Sequence, residues 1–239
     1  MPVHHPGPLH CQDCASKDES IFCELQGLDL VDMSNHKVVN TYKKGQTLFV
    51  QGNPPFGLFC ISSGNIKLSK IGPTGKESIV KIASKGEIIG HRSLFTGCQL
   101  SATATALEDT VVCFIDKKYI IKLVQDNPMV ASKVIQQMAK SLGAAQDRVA
   151  SLAQKSVRER LAELLLLLKQ SHGIDLGKGR TKLDIKMTRE EMASLIGTAP
   201  ETLIRLISEL REEGILDQEG KVIFICQEDQ LMEQAGLGF

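Results

Sequence analysis

Thr188-Arg-Glu-Glu-Met-Ala-Ser-Leu-Ile-Gly-Thr-Ala-Pro-Glu-Thr-Leu-Ile-Arg205 is the stretch on which the fold turns. In Thr188-x-x-Glu191 a hydroxyl and a carboxylate each satisfy an exposed backbone N–H, the reciprocal capping that starts a helix. The apolar spacing predicts a helix over Arg189–Ile196 that stops at Gly197. A second helix starts within Thr198-Ala-Pro-Glu201 and runs to Glu213-Gly214. Two helices joined by a tight, glycine-containing turn make a helix-turn-helix. Beyond them, Ile215–Asp217 and Val222–Cys226 flank Gln218-Glu-Gly-Lys221, which reads as a hairpin wing.

In such a unit the second helix enters the major groove of double-stranded DNA with its N-terminal residues toward the base edges. Glu201, Thr202, Ile204 and Arg205 fall there, with Thr198 and Arg189 at the approach. An arginine can donate two hydrogen bonds to guanine and a glutamate can accept one from cytosine. Glu201 and Arg205, four residues apart, share a helix face and can orient one another. Residues 157–239 hold 11 Lys+Arg against 15 Asp+Glu, net −4, so phosphate affinity calls for a local patch. Lys178, Arg180, Lys182, Lys186 and Arg189 are its candidates.

Upstream, a helix is expected over Val157–Gln170, a polar loop over Ile174–Thr181 and a short strand over Leu183–Met187. Asp126-Asn127-Pro128 starts a longer helix. Along it Ala131, Ile135, Met138, Leu142, Ala145, Val149 and Leu152 recur in steps of four and three, a heptad seam. The seam predicts that two copies pair as a homodimer; the competing reading packs it on the chain's own β-domain. From Tyr42 to Ile115 the sequence breaks into short strands, Thr47–Val50, Leu58–Ile61, Ile66–Ser69, Ser78–Ile82 and Val111–Ile115, punctuated by glycines, an antiparallel β-roll or jelly-roll pattern. The expected architecture is α+β: a cysteine-containing segment over 1–27, a β-roll sensor over 28–126, a dimerisation helix over 127–156 and a winged helix-turn-helix over 157–239.

Composition narrows the classes. With 28 Lys+Arg and 28 Asp+Glu, the 239-residue chain has no global pull toward nucleic acid or membrane. Met1–His10 holds three His, three Pro and no apolar run, and the longest apolar block, Leu164–Leu168, falls short of the roughly 20 residues that span a bilayer. A cytoplasmic protein with no membrane partner is expected. Seven cysteines without a secretory segment make a disulfide framework a poor reading. Cys11-x2-Cys14-x8-Cys23, preceded by His10, instead suits a soft metal or thiol redox chemistry. His91, Cys98 and Ser101 lack a glycine-flanked elbow and an acidic partner, so no enzyme is expected.

The whole order resembles the CRP/FNR family, and Lys44-Gly-Gln-Thr-Leu-Phe49, Gly64-Asn-Ile-Lys67, Ala106-Leu-Glu108, Val112-Cys-Phe-Ile115, Glu159-Arg-Leu-Ala162, Met187-Thr-Arg189 and Glu201-Thr-x-x-Arg205 are similar to its FNR branch. The resemblance implies a transcription regulator that works with RNA polymerase on a palindrome of the TTGA…TCAA type, with Glu201 and Arg205 as base readers. Ile204 and Pro200 depart from the family's residues there. It further implies an oxygen-labile 4Fe-4S cluster on Cys11, Cys14, Cys23 and Cys113. A zinc or thiol-redox site, or an unidentified small molecule with inert cysteines, are the alternatives. Cyclic AMP is not expected: where the family's cyclic-nucleotide binders carry a ribose-holding Glu and a phosphate-holding Arg, this chain has Gly90-His91-Arg92 and Leu100-Ser101-Ala102. The seam Asp of FNR, whose repulsion opposes pairing, is replaced by Ala145.

Overall fold

The computed structural model describes residues 11–14, 16–73, 75–177 and 179–237. His10 and Lys178, singled out above, lie outside them. The chain divides into two compact units, Met1–Gly143 and Ala144–Phe239.

In the first unit, α1 (Gly27–Asn35) precedes β1 (Lys37–Tyr42), β2 (Thr47–Phe49), β3 (Gly57–Ser63), β4 (Ile66–Ile71), β5 (Glu77–Ala83), β6 (Ile88–Ile89), α2 (His91–Thr96), β7 (Thr103–Ala106), β8 (Thr110–Asp116) and α3 (Lys117–Asp126). The strands form two antiparallel four-stranded sheets, ordered β1-β8-β3-β6 and β2-β7-β4-β5. The period-two alternation of a strand decides which side chain enters which core. Ile61 and Val112 join Ile66, Ala83, Ile89 and Ala104 between the sheets. Leu58, Cys60, Cys113 and Ile115 point to the opposite face of the first sheet, where Phe22, Leu25, Met33, Ile120, Val130 and Val134 cover them. The β3–β4 turn needs glycine: Gly64 has φ 82°, and an added Cβ would lie 2.9 Å from the Thr110 Cα. Sequence reading missed β1, β6, β7 and the three short helices, because a few residues carry too little periodicity to stand out.

The long helix α4 spans Pro128–Gln154. Asn127 starts it, its side-chain oxygen accepting from the N–H groups of Met129 and Val130 at 3.1 and 3.2 Å. Val130 and Val134 are its buried residues, and Met138 packs against the same core. Most of the heptad stripe lies elsewhere: Ile135, Leu142 and Val149, seven apart, are 66%, 61% and 68% exposed, and Leu152 and Ala145 are exposed too. The reading in which the stripe packs on the chain's own β-domain therefore holds for Met138 and fails for the others.

In the second unit, α5 (Val157–His172) is followed by β9 (Gly173–Asp175), β10 (Thr181–Leu183), α6 (Arg189–Ile196), α7 (Pro200–Glu212), β11 (Leu216–Glu219), β12 (Val222–Ile225) and α8 (Glu228–Gln234). The strands make one antiparallel sheet, β11-β12-β10-β9. The strand expected over Leu183–Met187 is instead Thr181–Leu183, and the expected loop contains β9. Ladder partners set these limits: Thr181 pairs with Ile225, and Leu183 with Gly173, where β9 begins. Met187 is buried without belonging to a strand, which is why the apolar alternation misled.

Candidate functional site

Both helices of the 188–212 stretch are set by local chemistry. Thr188 accepts from the Glu191 N–H at 3.1 Å while the Glu191 carboxylate accepts from the Thr188 N–H at 2.9 Å. Gly197 takes φ 68°, and the Thr198 N–H donates back to the Ala193 carbonyl at 3.0 Å, closing α6. Pro200 opens α7 at its first turn, where a missing N–H costs nothing. Met192, Ala193, Ile196, Leu203, Leu206, Ile207 and Leu210 are buried between α6, α7 and their surroundings. What remains on the outside of α7 is a row at helical spacing: Glu201, Ile204, Arg205 and Ser208, all exposed, with Thr202 half-buried beside it. An arginine, a carboxylate and an apolar side chain on one protruding helix face match the three kinds of contact a major groove offers, Ile204 suiting a thymine methyl.

Arg205 is placed differently from the sequence expectation. Its guanidinium meets Glu209, one turn on, at 3.3 Å, rather than Glu201. Glu209 also takes Arg158 from α5 at 3.4 Å, so it stands between two cations. The patch expected to hold phosphates is largely spent within the protein. Arg180 pairs with Asp217 and Glu219 at 2.8 and 2.9 Å and lies over the Phe224 ring at 4.2 Å, bracing the wing. Lys182 meets Asp184 at 3.0 Å. Arg189 differs: it lines a cleft of about 280 Å³ with Ile204, Ile207, Ser208, Arg211 and Gln218, and its Nη2 is buried without a hydrogen-bond partner. Arg211 and Gln218 in that cleft were invisible in sequence because the wing's approach to α7 is tertiary.

The cysteines gather in a way the linear spacing did not indicate. Cys60 and Cys113 are directly opposite in the β3–β8 ladder, on the face that the N-terminal segment covers. Ile21, Phe22 and Leu25 pin that segment down, and the Ser34 hydroxyl accepts from the Cys11 N–H at 3.0 Å. The result is a cavity of about 30 Å³ lined by Cys11, Cys14, Lys37, Cys60, Ser62 and Cys113, among others. Cys23 does not line it; it stands beside Lys133, whose ammonium meets Glu24 at 3.3 Å. Cys98 is exposed, and Cys226 is in the other unit.

The thiols differ in character. Burial first, and then the neighbouring thiols, push Cys60 far up. Burial pushes Cys113 up to about 11 despite Lys37. Burial also raises Cys14, but hydrogen bonds from Ser16 and Ser62 and the charge of Lys37 outweigh it and leave this thiol below its usual value. The Cys14 Sγ lies 3.1 Å from Ser16 Oγ and 3.6 Å from Ser62 Oγ. The 4Fe-4S set implied by the resemblance does not fit this arrangement. Cys23 is outside, and about 30 Å³ is roughly the volume of one water, not of four irons and four sulfides. Among the described residues no three His, Cys, Asp or Glu side chains already surround one ion position.

At the cyclic-nucleotide position His91 opens α2 with its Nδ1 buried and unpartnered, and burial holds the ring's pKa below the ordinary value. Leu100 is buried and Arg92 exposed. Among the described residues no helix is long and apolar enough to cross a membrane.

Comparison with known proteins agrees with this geometry. Residues 39–127 match the cyclic nucleotide-binding domain and residues 159–234 the Crp-like helix-turn-helix domain. The chain is 30% identical over 232 residues to the fumarate and nitrate reduction regulatory protein of Vibrio cholerae, covering 96% of this chain and 91% of that one. It is 26% identical over 194 residues to a CRP-like cAMP-activated global transcriptional regulator of Mycobacterium tuberculosis, covering 81% and 86%. The fold is similar to that of FixK2 from Bradyrhizobium japonicum, with a TM-score of 0.75, 23% identity and coverage of 83% and 96%. These relatives are transcription regulators, not enzymes. The chain belongs to the CRP/FNR family of DNA-binding transcription regulators.

Proposed function

We propose that two copies of this chain pair through Ile135, Leu142, Val149 and Leu152 of α4 and bind a palindromic duplex of the TTGA…TCAA type. In this reading Glu201, Thr202, Ile204 and Arg205 read bases, Thr198 and Arg189 approach the phosphates, and RNA polymerase is the downstream partner in the cytoplasm. The observation that carries it is the solvent-facing Glu201–Ile204–Arg205–Ser208 row on a helix whose opposite face is wholly buried. The sensory input is oxygen or redox state, received by the thiols gathered against β3 and β8. Because a four-iron cluster does not fit those thiols as they lie, no step is assigned to one; cyclic AMP is likewise not assigned.

The test compares protein kept without oxygen with protein exposed to air, each titrated against the palindrome and a randomised duplex. Aeration is expected to change affinity for the palindrome and leave random binding in place. Identical palindrome binding in both states would remove the thiols from the sensing role. A second reading, an unidentified small-molecule effector in the β-roll, is favoured by one observation, the buried unpartnered Nδ1 of His91. It is expected to show ligand-dependent affinity that His91→Phe abolishes and aeration does not touch.

A further inference from the structure

The Lys37 ammonium is buried, has no hydrogen-bond partner and lines the thiol cavity. A buried cation without a partner costs several kcal/mol, so a protein that keeps one there ordinarily supplies an anion. No carboxylate lines the cavity among the described residues; its other ionisable groups are Lys17 and the thiols of Cys11, Cys14, Cys60 and Cys113. These four come from three separate parts of the chain: the N-terminal turn, β3 and β8. Cys60 and Cys113 are fixed by the sheet register, while Cys11 and Cys14 sit on a turn held by a few hydrogen bonds. Two rigid donors facing two adjustable ones can close around an ion, which the present spacing does not yet do. The cavity volume, about 30 Å³, is that of a single small body.

We propose that Cys11, Cys14, Cys60 and Cys113 are the four ligands of one thiophilic divalent metal ion of the zinc class, that Lys37 is the charge partner of the resulting thiolate centre, and that Cys23 takes no part. Four thiolates around a divalent ion carry net charge −2, which accounts for a cation held against them. Each thiol loses its proton on binding, so uptake releases protons and exchanges them for metal–sulfur bonds without any oxidant. This assignment deepens the thiol-sensing reading above by naming the ligand and its donors; it differs from the resemblance in exchanging Cys23 for Cys60.

The experiment uses the full chain, reduced and metal-free, titrated with Co²⁺ without oxygen. One equivalent is expected to give the tetrahedral d–d bands and the intense thiolate-to-cobalt charge transfer of a four-sulfur site. Cys23→Ser should leave stoichiometry and spectrum unchanged, whereas Cys60→Ser and Cys60→Ala should lose the four-thiolate spectrum. Lys37→Met should keep the spectrum and weaken affinity by about 10–100-fold, as loss of a supporting partner does. Because Cys60 is a core residue, a zinc-dependent rise in Tm is measured alongside, expected in wild type and Cys23→Ser and absent in both Cys60 variants. X-ray absorption at the zinc edge of wild-type protein, with four sulfur neighbours expected, needs no variant. A spectrum lost in Cys23→Ser and kept in Cys60→Ser overturns the ligand set, as does the uptake of four irons with sulfide in place of one ion. Duplex titration of zinc-loaded and metal-free protein separates the two readings. Unchanged DNA affinity with the ligand set intact would refute thiol sensing while leaving this site standing.

Discussion

Glu201, Ile204, Arg205 and Ser208 share one face because the helical period puts them there. Cys14, Lys37, Cys60 and Cys113 meet because separate pieces of chain fold onto one sheet. The two regions also differ in what they leave unsatisfied. On α7 the charged groups stand in water, with Arg205 lightly tethered to Glu209, so they are free to exchange solvent for a base edge. In the thiol cavity a buried ammonium faces protonated sulfur, a state improved by anything that turns thiol into thiolate. A surface built to read a partner stays wet and locally encoded; a site built to hold a ligand is dry and assembled from afar.

The largest effect is expected where the two regions depend on pairing. Leu142→Glu combined with Val149→Glu places like charges across the α4 seam. The variant should sediment as a monomer and lose specific duplex binding to the random-duplex level, a drop of about 10³-fold or more. A variant that remains dimeric would place the interface elsewhere. Next in size is core truncation. Leu203→Ala beneath the reading face and Ile115→Ala beneath the thiols both empty fully buried positions. Each should cost about 2–5 kcal/mol in urea unfolding, but only Leu203→Ala should weaken duplex binding before global unfolding. Equal effects on binding would mean that the two units do not respond separately.

Smaller again is the local cap. Thr188→Ala removes one half of a reciprocal pair and should destabilise by about 1 kcal/mol, read as a lowered urea midpoint. The finest probe is thiol reactivity in reduced, metal-free protein. Cys14 lies below its usual pKa and Cys113 is pushed up to about 11, so iodoacetamide at neutral pH should label Cys14 well ahead of Cys113. The Cys113 rate should climb about tenfold per pH unit toward pH 11, since only the thiolate reacts, while the Cys14 rate levels off earlier. Equal labelling at pH 7 would deny the contrast drawn between the two sulfurs.

The helix-turn-helix was legible because each of its signals is short-range: Thr188 with Glu191, Gly197 at φ 68° and Pro200 at the helix start. The heptad of α4 was legible for the same reason, its exposed members lying seven residues apart. Cys60 was passed over as a core thiol, and Lys37 was not considered, because only the β3–β8 register and the docking of residues 21–25 bring them to Cys11 and Cys14. The phosphate patch failed for an electrostatic reason. Arg180 and Lys182 were counted as free cations, but Asp217, Glu219 and Asp184 reach them across β-strand neighbours and short turns that charge counting does not see.

Equilibrium titration of wild type and Arg205→Ala against a TTGA…TCAA duplex and a randomised duplex of equal length, at one fixed salt concentration, tests the DNA-reading claim most directly. Wild type is expected to prefer the palindrome, and Arg205→Ala to lose about 1–3 kcal/mol on it with little change on the random sequence. No preference in wild type, or an equal loss on both duplexes, would contradict the assignment of this helix face to base reading.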